Sequence, residues 1–421
     1  MANIDQIISE LYQSQYARLL AVLTRLFGIE NLNLAEDVLQ DTFGKAIAHW
    51  KNNGIPPNPE AWLTQTAKNG AIDIIRSNNN RGRLANDLSH FLDNEWSLQA
   101  TVETEFTEEH IKDDQLKMMF MCCNNDLSKA NQLPLILRLL CGLSIVAISR
   151  ALLTPEQTIK KRLQRAKAQL KQSQFILPSN EDILASLDTV HTALYLVFNE
   201  GFHSSENSKV MNVLLCEEAI DLVNLLVDSP SIANRETLSL FALMHFHIAR
   251  AKTRIDTTGN SIPLDLQDRE NWELKYIHTG NTMLSLAERF ESESAGRFFY
   301  EAVVAQEHCA AKDFGSTNWK VIINAYDELI KITESPVAKI NRAIAVAYDA
   351  NVERAIADLE ALKDTNAFKN SHLPDASLAH CYAMLGQRDK SLALAKVAKL
   401  KGGTPAEHQL MQMQLERILS N

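Results

Sequence analysis

The sequence predicts an all-α protein of two or three domains, and three observations carry that expectation. At 421 residues the chain is too long for one ordinary core, because cores stop growing near roughly 250–300 residues. It holds 14 Gly and 11 Pro, too few for a loop-rich β protein or a collagenous one. Apolar residues recur at helical spacing in one segment after another. A composition 46% hydrophobic and 22% charged excludes disorder on a large scale.

From Leu34 to Trp50, the residues Leu39, Phe43, Ala46, Ile47 and Trp50 fall at i, i+4, i+7, i+8 and i+11, which predicts an amphipathic helix. Its polar flank carries Glu36 with Gln40 and Asp37 with Asp41, so three carboxylates and an amide crowd one surface. Judged by charge alone this is a solvated face. Beyond Pro56, Pro57 and Pro59 a second helix is expected from about Glu60 to Arg81, with Trp62, Leu63, Ala67, Ala71, Ile74 and Ile75 inward. Trp62 reads as a core anchor. Asn69, Asp73, Arg76 and Asn80 share the other face, and with Lys68, Arg81 and Arg83 they make a basic, amide-bearing surface suited to phosphates and exposed base edges.

Residues 84–114 then carry nine acids against Lys112 alone. Such a stretch repels itself and buries little, so an extended linker between two small modules is expected. In the second module, Ser144 is placed to cap a short helix carrying Ile145, Ile148 and Leu152. A tight turn at Leu153 leads to Thr154-Pro155-Glu156-Gln157, read as a capping box with Thr at the cap and Pro at the first helical position. The helix it starts buries Ile159, Leu163, Ala166 and Leu170 and exposes Lys160, Lys161, Arg162, Gln164, Arg165, Lys167 and Lys171. A short helix, a three-residue turn and a capped basic helix together predict a helix-turn-helix whose second helix suits a DNA major groove. A basic solvated helix is the alternative.

On these residues the chain resembles the sigma-70 superfamily of bacterial transcription initiation factors, specifically the two-module class called extracytoplasmic-function sigma factors. Ala35-Glu36-Asp37-Val38-Leu39-Gln40-Asp41-Thr42-Phe43 looks like the polymerase-binding part of region 2. Pro59-Glu60-Ala61-Trp62-Leu63 with Ala67, Asn69, Asp73 and Arg76 resembles the helix that reads the minus-10 element. Leu139-Leu140-Cys141-Gly142-Leu143-Ser144 through Leu170 is similar to region 4, which reads the minus-35 element and touches the polymerase beta flap. The resemblance implies region 2 over 1–83, a linker over 84–114 near the RNA exit path, region 4 over 115–177 and a helical extension over 178–421. It implies that Glu36, Asp37, Gln40 and Asp41 face the basic beta' clamp helices of core RNA polymerase. Thr158, Lys160, Lys161, Gln164 and Arg165 would then contact minus-35 DNA, and Lys68, Asn69, Arg76, Asn80 and Arg81 the minus-10 strand. No catalytic residue, metal or cofactor is expected. Ala147 and the Asn78-Asn79-Asn80 run depart from the usual pattern and bear on which promoter is read.

In the extension, Thr192 through Phe202 and Asp265-Leu266-Gln267-Asp268-Arg269 with Trp272 resemble a subgroup whose sigma modules are fused to a long helical appendage. Ala343, Val346, Ala350 and Ala355 recur 36 residues later as Ala379, Tyr382, Gly386 and Ser391. That offset is close to the tetratricopeptide period, so TPR-like repeats are expected near 337–403. A regulatory or interaction module with a protein or ligand partner follows. An enzyme in the extension would draw on Glu200, His203 and Glu206, or on His245, His247 and Asp256. No further ligand stands at recognisable spacing, and His245 and His247 at i, i+2 point to different sides of a helix. A helix-turn-helix regulator independent of polymerase is the other alternative, and it would have no use for the acidic surface from Glu36 to Asp41.

The net charge of −10 at first sight argues against a nucleic-acid partner. Residues 1–175, however, hold 19 basic and 19 acidic residues, so the excess belongs to the remainder, with 23 basic against 33 acidic. The cysteines at 122, 123, 141, 216, 309 and 381 form no ligand or disulfide framework and read as reduced thiols. Met1 to Ile7 shows no signal-peptide pattern, and the apolar segment Leu133 to Leu143, interrupted by Arg138, is far short of a membrane span. A soluble cytoplasmic chain is expected.

Overall fold

The computed structural model of the protein describes residues 4–79, 99, 102–123, 127–152, 154–173, 175–203, 211–256, 261–290 and 294–420. Among them the regular structure is helical, apart from one isolated bridge between Ile255 and Ser261. The all-α class is as expected. The chain divides into two compact units, one taking in 1–207 and 211–233, the other 208–210 and 234–421.

The first unit holds α1 (Ile4–Phe27), α2 (Leu32–Asn53), α3 (Pro59–Asn79), α4 (Glu108–Met121), α5 (Lys129–Leu139), α6 (Ile145–Ala151), α7 (Glu156–Leu170), α8 (Asn180–Phe202) and α9 (Val213–Val227). Helix α1 is its axis and packs on α2, α3, α4 and α9. From Gln15 to Phe27 only Arg18 and Arg25 escape burial. A helix covered on nearly its whole circumference has no polar face to turn outward, so it sits in the interior. Leu19, Leu20, Leu23 and Phe27 are fully buried there, each contributing about 2 kcal/mol by removal from water.

Two boundaries differ from expectation. Helix α4 begins at Glu108, inside the stretch read as linker, and Val102, Phe106 and Ile111 are buried. Charge repulsion does not extend this part because its acids find arginines on α1, as described below. The compact unit also runs past residue 177 to take in α8 and α9. Helix α8 buries Ile183, Leu187, Val190 and Leu194 and packs on α4 and α5, while α9 packs on α1 and α4. The hairpin is close-packed at Gly201, where an added Cβ would lie 2.9 Å from the Asn212 carbonyl oxygen.

The second unit holds α10 (Arg235–Ile248), α11 (Leu274–Glu288), α12 (Arg297–Ala310), α13 (Trp319–Thr333), α14 (Pro336–Tyr348), α15 (Val352–Lys363), α16 (Leu373–Met384), α17 (Arg388–Lys401) and α18 (Pro405–Ser420). Consecutive helices pack on one another, and α10 also touches α12, α14 touches α16 and α16 touches α18. This near-neighbour pattern is that of a helical-pair solenoid. The repeat read from sequence has a geometric counterpart. Ala343, Ala355, Ala379 and Ser391 are fully buried where paired helices cross. Ala350 and Gly386 both turn the chain left-handed, at φ 64° and 68°. Asn351 N–H donates to the Val346 carbonyl at 3.2 Å, and Gln387 N–H to that of Tyr382 at 2.9 Å, so the same helix-ending loop occurs in both repeats.

Candidate nucleic-acid and polymerase interfaces

The helix-turn-helix is built from α6 and α7. Ser144 Oγ accepts from Ala147 N–H at 3.1 Å and caps α6, as its position suggested. Gly142, at φ 61°, turns the chain into that cap, and Arg138 Nη1 donates to the Leu143 carbonyl at 3.0 Å. The start of α7 differs from the expected capping box. Pro155 is the cap residue and Glu156 the first helical one. The Thr154 hydroxyl donates to the Leu152 carbonyl at 3.0 Å, while Ser149 Oγ donates to the Thr154 carbonyl at 2.6 Å. Those turn bonds hold Thr154 in the loop, away from the helical N–H groups.

Ile159, Leu163, Ala166 and Leu170 anchor α7 against α5 and α6. Lys160, Lys161, Gln164 and Arg165 are exposed on the opposite face, and Thr158 is half-buried at its edge. Those four side chains therefore present a cationic surface with one amide, held at a fixed angle by the apolar side of the helix.

On α2, Asp37, Gln40 and Asp41 are exposed and Glu36 is half-buried. Asp41 pairs with Lys45 of its own helix at 2.7 Å. Ile47, expected inward, is 37% exposed, whereas Trp50 is fully buried. On α3, Asn69 is exposed and accepts from Gln65 at 3.1 Å, Arg76 is exposed, and Lys68 Nζ lies 5.5 Å from the centroid of the Phe106 ring. Asn80, Arg81 and Arg83 lie outside the described residues. Trp62 is half-buried, stacked on His49 and edge-on to Trp50 with centroids 5.5 Å away in each case. It covers the core at Trp50 rather than forming it. Ile72, not Ile74, is the buried isoleucine beside Ile75.

The acids preceding and opening α4 dock on α1. Arg18 makes a bidentate pair with Glu108, at 2.5 and 3.1 Å. Arg25 reaches Glu105 at 2.8 Å and Asp114 at 3.5 Å. Asp114 is wholly buried, and burial pushes its carboxyl up to about 6 despite Arg25 and Lys117. Sequence reasoning missed these pairs because they join residues 80 to 90 positions apart, and a run of acids signals nothing about its partners.

A cleft of about 890 Å³ separates the acidic flank of α2 from the helix-turn-helix. Across it Lys167 Nζ donates to both Glu36 oxygens at 2.6 and 2.7 Å, an ion pair whose side chains are 22% and 21% exposed. Tyr12 and Tyr16 of α1 form the floor with Phe43, and the Arg138 guanidinium lies 5.8 Å over the Tyr16 ring. Lys167 is thus engaged within the protein and is not simply another solvated cation.

Region 2 of sigma-70 is matched over residues 11–81 and region 4 of sigma-70 over residues 117–170, the segments that contain α2 with α3 and α5 to α7. The chain belongs to the sigma-70 family. As an RNA polymerase sigma factor of the extracytoplasmic-function type it binds core polymerase and promoter DNA and directs transcription initiation. Residues 186–288 of this sigma factor match a family of unknown function (DUF6596), which places a distinct family in the helical extension. The sigma factor is 33% identical over 347 residues to Uncharacterized protein R00370 of Rhizobium meliloti (strain 1021), covering 82% of its own chain and 80% of that protein. No solved structure matches it.

Sigma-factor families are not enzymes. In the extension His245 is buried, its Nδ1 2.8 Å from the Phe241 carbonyl, and burial lowers its basicity. His247 Nδ1 lies 3.2 Å from Arg250 Nη2. His203 is exposed, and Glu206 lies outside the described residues. Among the described residues no three His, Cys, Asp or Glu side chains converge as a metal site, and no helix is long and apolar enough to cross a membrane.

Proposed function

We propose that the sigma factor reads minus-35 DNA with the exposed face of α7, using Lys160, Lys161, Gln164 and Arg165 in the major groove and Thr158 at its margin. The observation that carries this is the division of α7 itself, with four apolar residues buried and those four polar ones exposed. Lysine and arginine supply phosphate contacts, and Gln164 offers an amide suited to an adenine edge. Lys68, Asn69 and Arg76, with Asn80 and Arg81 beyond the end of α3, hold the minus-10 strand. Glu36, Asp37, Gln40 and Asp41 meet the basic clamp helices of the beta' subunit, and region 4 touches the beta flap. The linker before α4 runs near the RNA exit path. The helical extension is a regulatory or interaction module with a protein or ligand partner. Both main partners, DNA and polymerase, put the site of action in the cytoplasm, and the protein itself breaks no bond.

Run-off transcription with purified core polymerase tests the reading, with the gene's own upstream region among the templates. Promoter-dependent transcripts are expected from the full-length chain. Lys160→Ala combined with Arg165→Ala should weaken promoter binding and reduce the slope of log affinity against log salt by about two, one for each phosphate left without its cation. An unchanged slope would remove both residues from the DNA surface.

A further inference from the structure

Two guanidiniums and an imidazole crowd the last turn of α12 in the second unit. Arg269 Nη1 donates to the His308 and Ala311 carbonyls at 2.5 and 2.8 Å, and so finishes that helix from another element. Its guanidinium carbon lies 4.9 Å from the centroid of the Trp272 ring. Burial and the charge of Arg269 lower the basicity of Arg250, and burial with both arginines pushes His308 down to about 3. Like charges gathered in a poorly solvated place disfavour one another, so the cluster gains from a negative partner. Asp313, the carboxylate that acts on Arg269, is exposed and accepts from the Ser316 N–H at 2.8 Å. Three buried polar atoms at this end of α12 make no hydrogen bond among the described residues: Arg269 Nη2, His308 Nδ1 and Thr317 Oγ1, the last on a residue 6% exposed. Buried polar groups are almost always matched, and a neutral imidazole, a hydroxyl and a guanidinium can all donate. Together they call for an acceptor from outside the chain.

From that cationic end a strip of rings runs across α13 and α14 to α16. His308 is edge-on to Trp319 with centroids 5.6 Å apart, and Trp319 is stacked on Tyr348 at 4.8 Å. Phe314 is edge-on to both, at 5.1 and 4.9 Å. Phe314, Trp319 and Tyr348 are each half-buried, so the strip is part of the surface. At its far end the Tyr348 hydroxyl lies 2.7 Å from His380 Nε2. Burial pushes His380 down to about 4 and Tyr348 up to about 12, which keeps that pair neutral. The strip therefore offers one positive end and a flat, uncharged body.

We infer that it binds a small aromatic acid, with the carboxylate on Arg269, His308 and Thr317 and the ring against Phe314, Trp319 and Tyr348. The inference rests on the reading of the extension as a module with a ligand partner, and names the chemistry of that ligand. A carboxylate accepts charge-assisted bonds from a guanidinium in a matching plane. The unmatched donors gather at one helix end, which suits a compact head group better than a peptide backbone with its spaced hydrogen bonds. The loop over 311–318 carries Phe314 and Thr317 and moves aside to admit the acid. Arg269 then exchanges its bond to the Ala311 carbonyl for one to the ligand.

Cys309 reports on the site in the full-length protein, because it alone of the six thiols is not fully buried. Iodoacetamide alkylates the thiolate, and the charges of Arg250 and Arg269 favour that form against burial. A carboxylate on Arg269 offsets their pull. Benzoate, phenylacetate or indole-3-acetate should therefore slow alkylation of Cys309 several-fold, read by mass spectrometry, and raise the unfolding midpoint. Benzamide, a ring without charge, and acetate, a charge without ring, should each do far less. Arg269→Gln should abolish the protection. Because Arg269 also finishes α12, Thr317→Val is the second variant: it should weaken protection while unfolding near the wild-type midpoint in the absence of acid. If none of the three acids slows alkylation, or if the variants are protected as well as wild type, the site is refuted. Protection by a peptide ending in phenylalanine but by none of the acids would overturn the small acid in favour of a chain terminus. Run-off transcription with and without the effective acid separates the site from the reading beneath it. A yield that responds in wild type and not in Arg269→Gln supports both, whereas protection with no change in yield keeps the site and overturns the regulatory role of the extension.

Discussion

At Ala350 the backbone is left-handed with a Cβ present, φ 64°, where the equivalent turn 36 residues later has Gly386 at φ 68°. For a residue with a side chain that conformation costs about 1–2 kcal/mol, part of which glycine gives back through its freer unfolded chain. Ala350→Gly should therefore stabilise the second unit by about 0.5–1 kcal/mol, read as a raised midpoint of thermal or urea unfolding. A lowered midpoint would mean that the alanine methyl packs well enough to outweigh the strain. Sequence periodicity aligned the two positions, but it carried no sign that one repeat tolerates strain where the other avoids it. That depended on the dihedral angle.

A helix can be finished by a neighbour instead of by its own end, and α12 is an example. The carboxylate of Glu236 on α10 accepts from the backbone N–H groups of Gly296, Phe298 and Phe299 at 3.0, 2.9 and 3.4 Å, and so caps the start of α12 from another element. Negative charge at a helix N-terminus also meets the positive end of its dipole. Glu236→Ala should cost about 1–2 kcal/mol and speed amide exchange at Phe298 and Phe299 before it affects α14 to α18. Uniform loss of protection across the unit would instead make Glu236 part of a single cooperative core. Amphipathic α2 and α7 were legible from spacing because each has one buried face. Helix α1 was not, because its burial on nearly all sides leaves no stripe to detect.

For the whole molecule, the α8–α9 hairpin contains a charge problem of its own. Glu218 of α9 is buried, and burial with Asp221 nearby pushes its carboxyl up to about 8, against the pull of Arg18. Its ordinary value is 4.5, so between about 4.5 and 8 the folded chain keeps a proton that the unfolded chain has lost. The unfolded state then binds fewer protons, and stability contributed at this site falls as pH rises through that window. Glu218→Gln cannot titrate. It should flatten the decline in unfolding midpoint from about pH 5 to pH 8 and leave the variant more stable than wild type at the upper end. A variant with the same slope as wild type would locate the pH dependence elsewhere, with Asp114, raised to about 6, the next group to substitute. The net charge of −10 has a corresponding lesson, since part of the N-terminal acidity is spent internally on Arg18, Arg25 and Lys167.

The sequence by itself determined the helical class, the cationic face of α7, the acidic flank of α2 and the repeat in the extension. Each of these is written in spacing and charge along one element, and local physics reads it directly. Tertiary structure alone decided that α1 is the axis of the first unit, that the supposed linker acids dock on its arginines, and that α8 and α9 join the modules they follow. It alone set Lys167 against Glu36. Those contacts link residues far apart in the chain, and which of many like charges finds which partner depends on how the buried apolar faces bring their helices together.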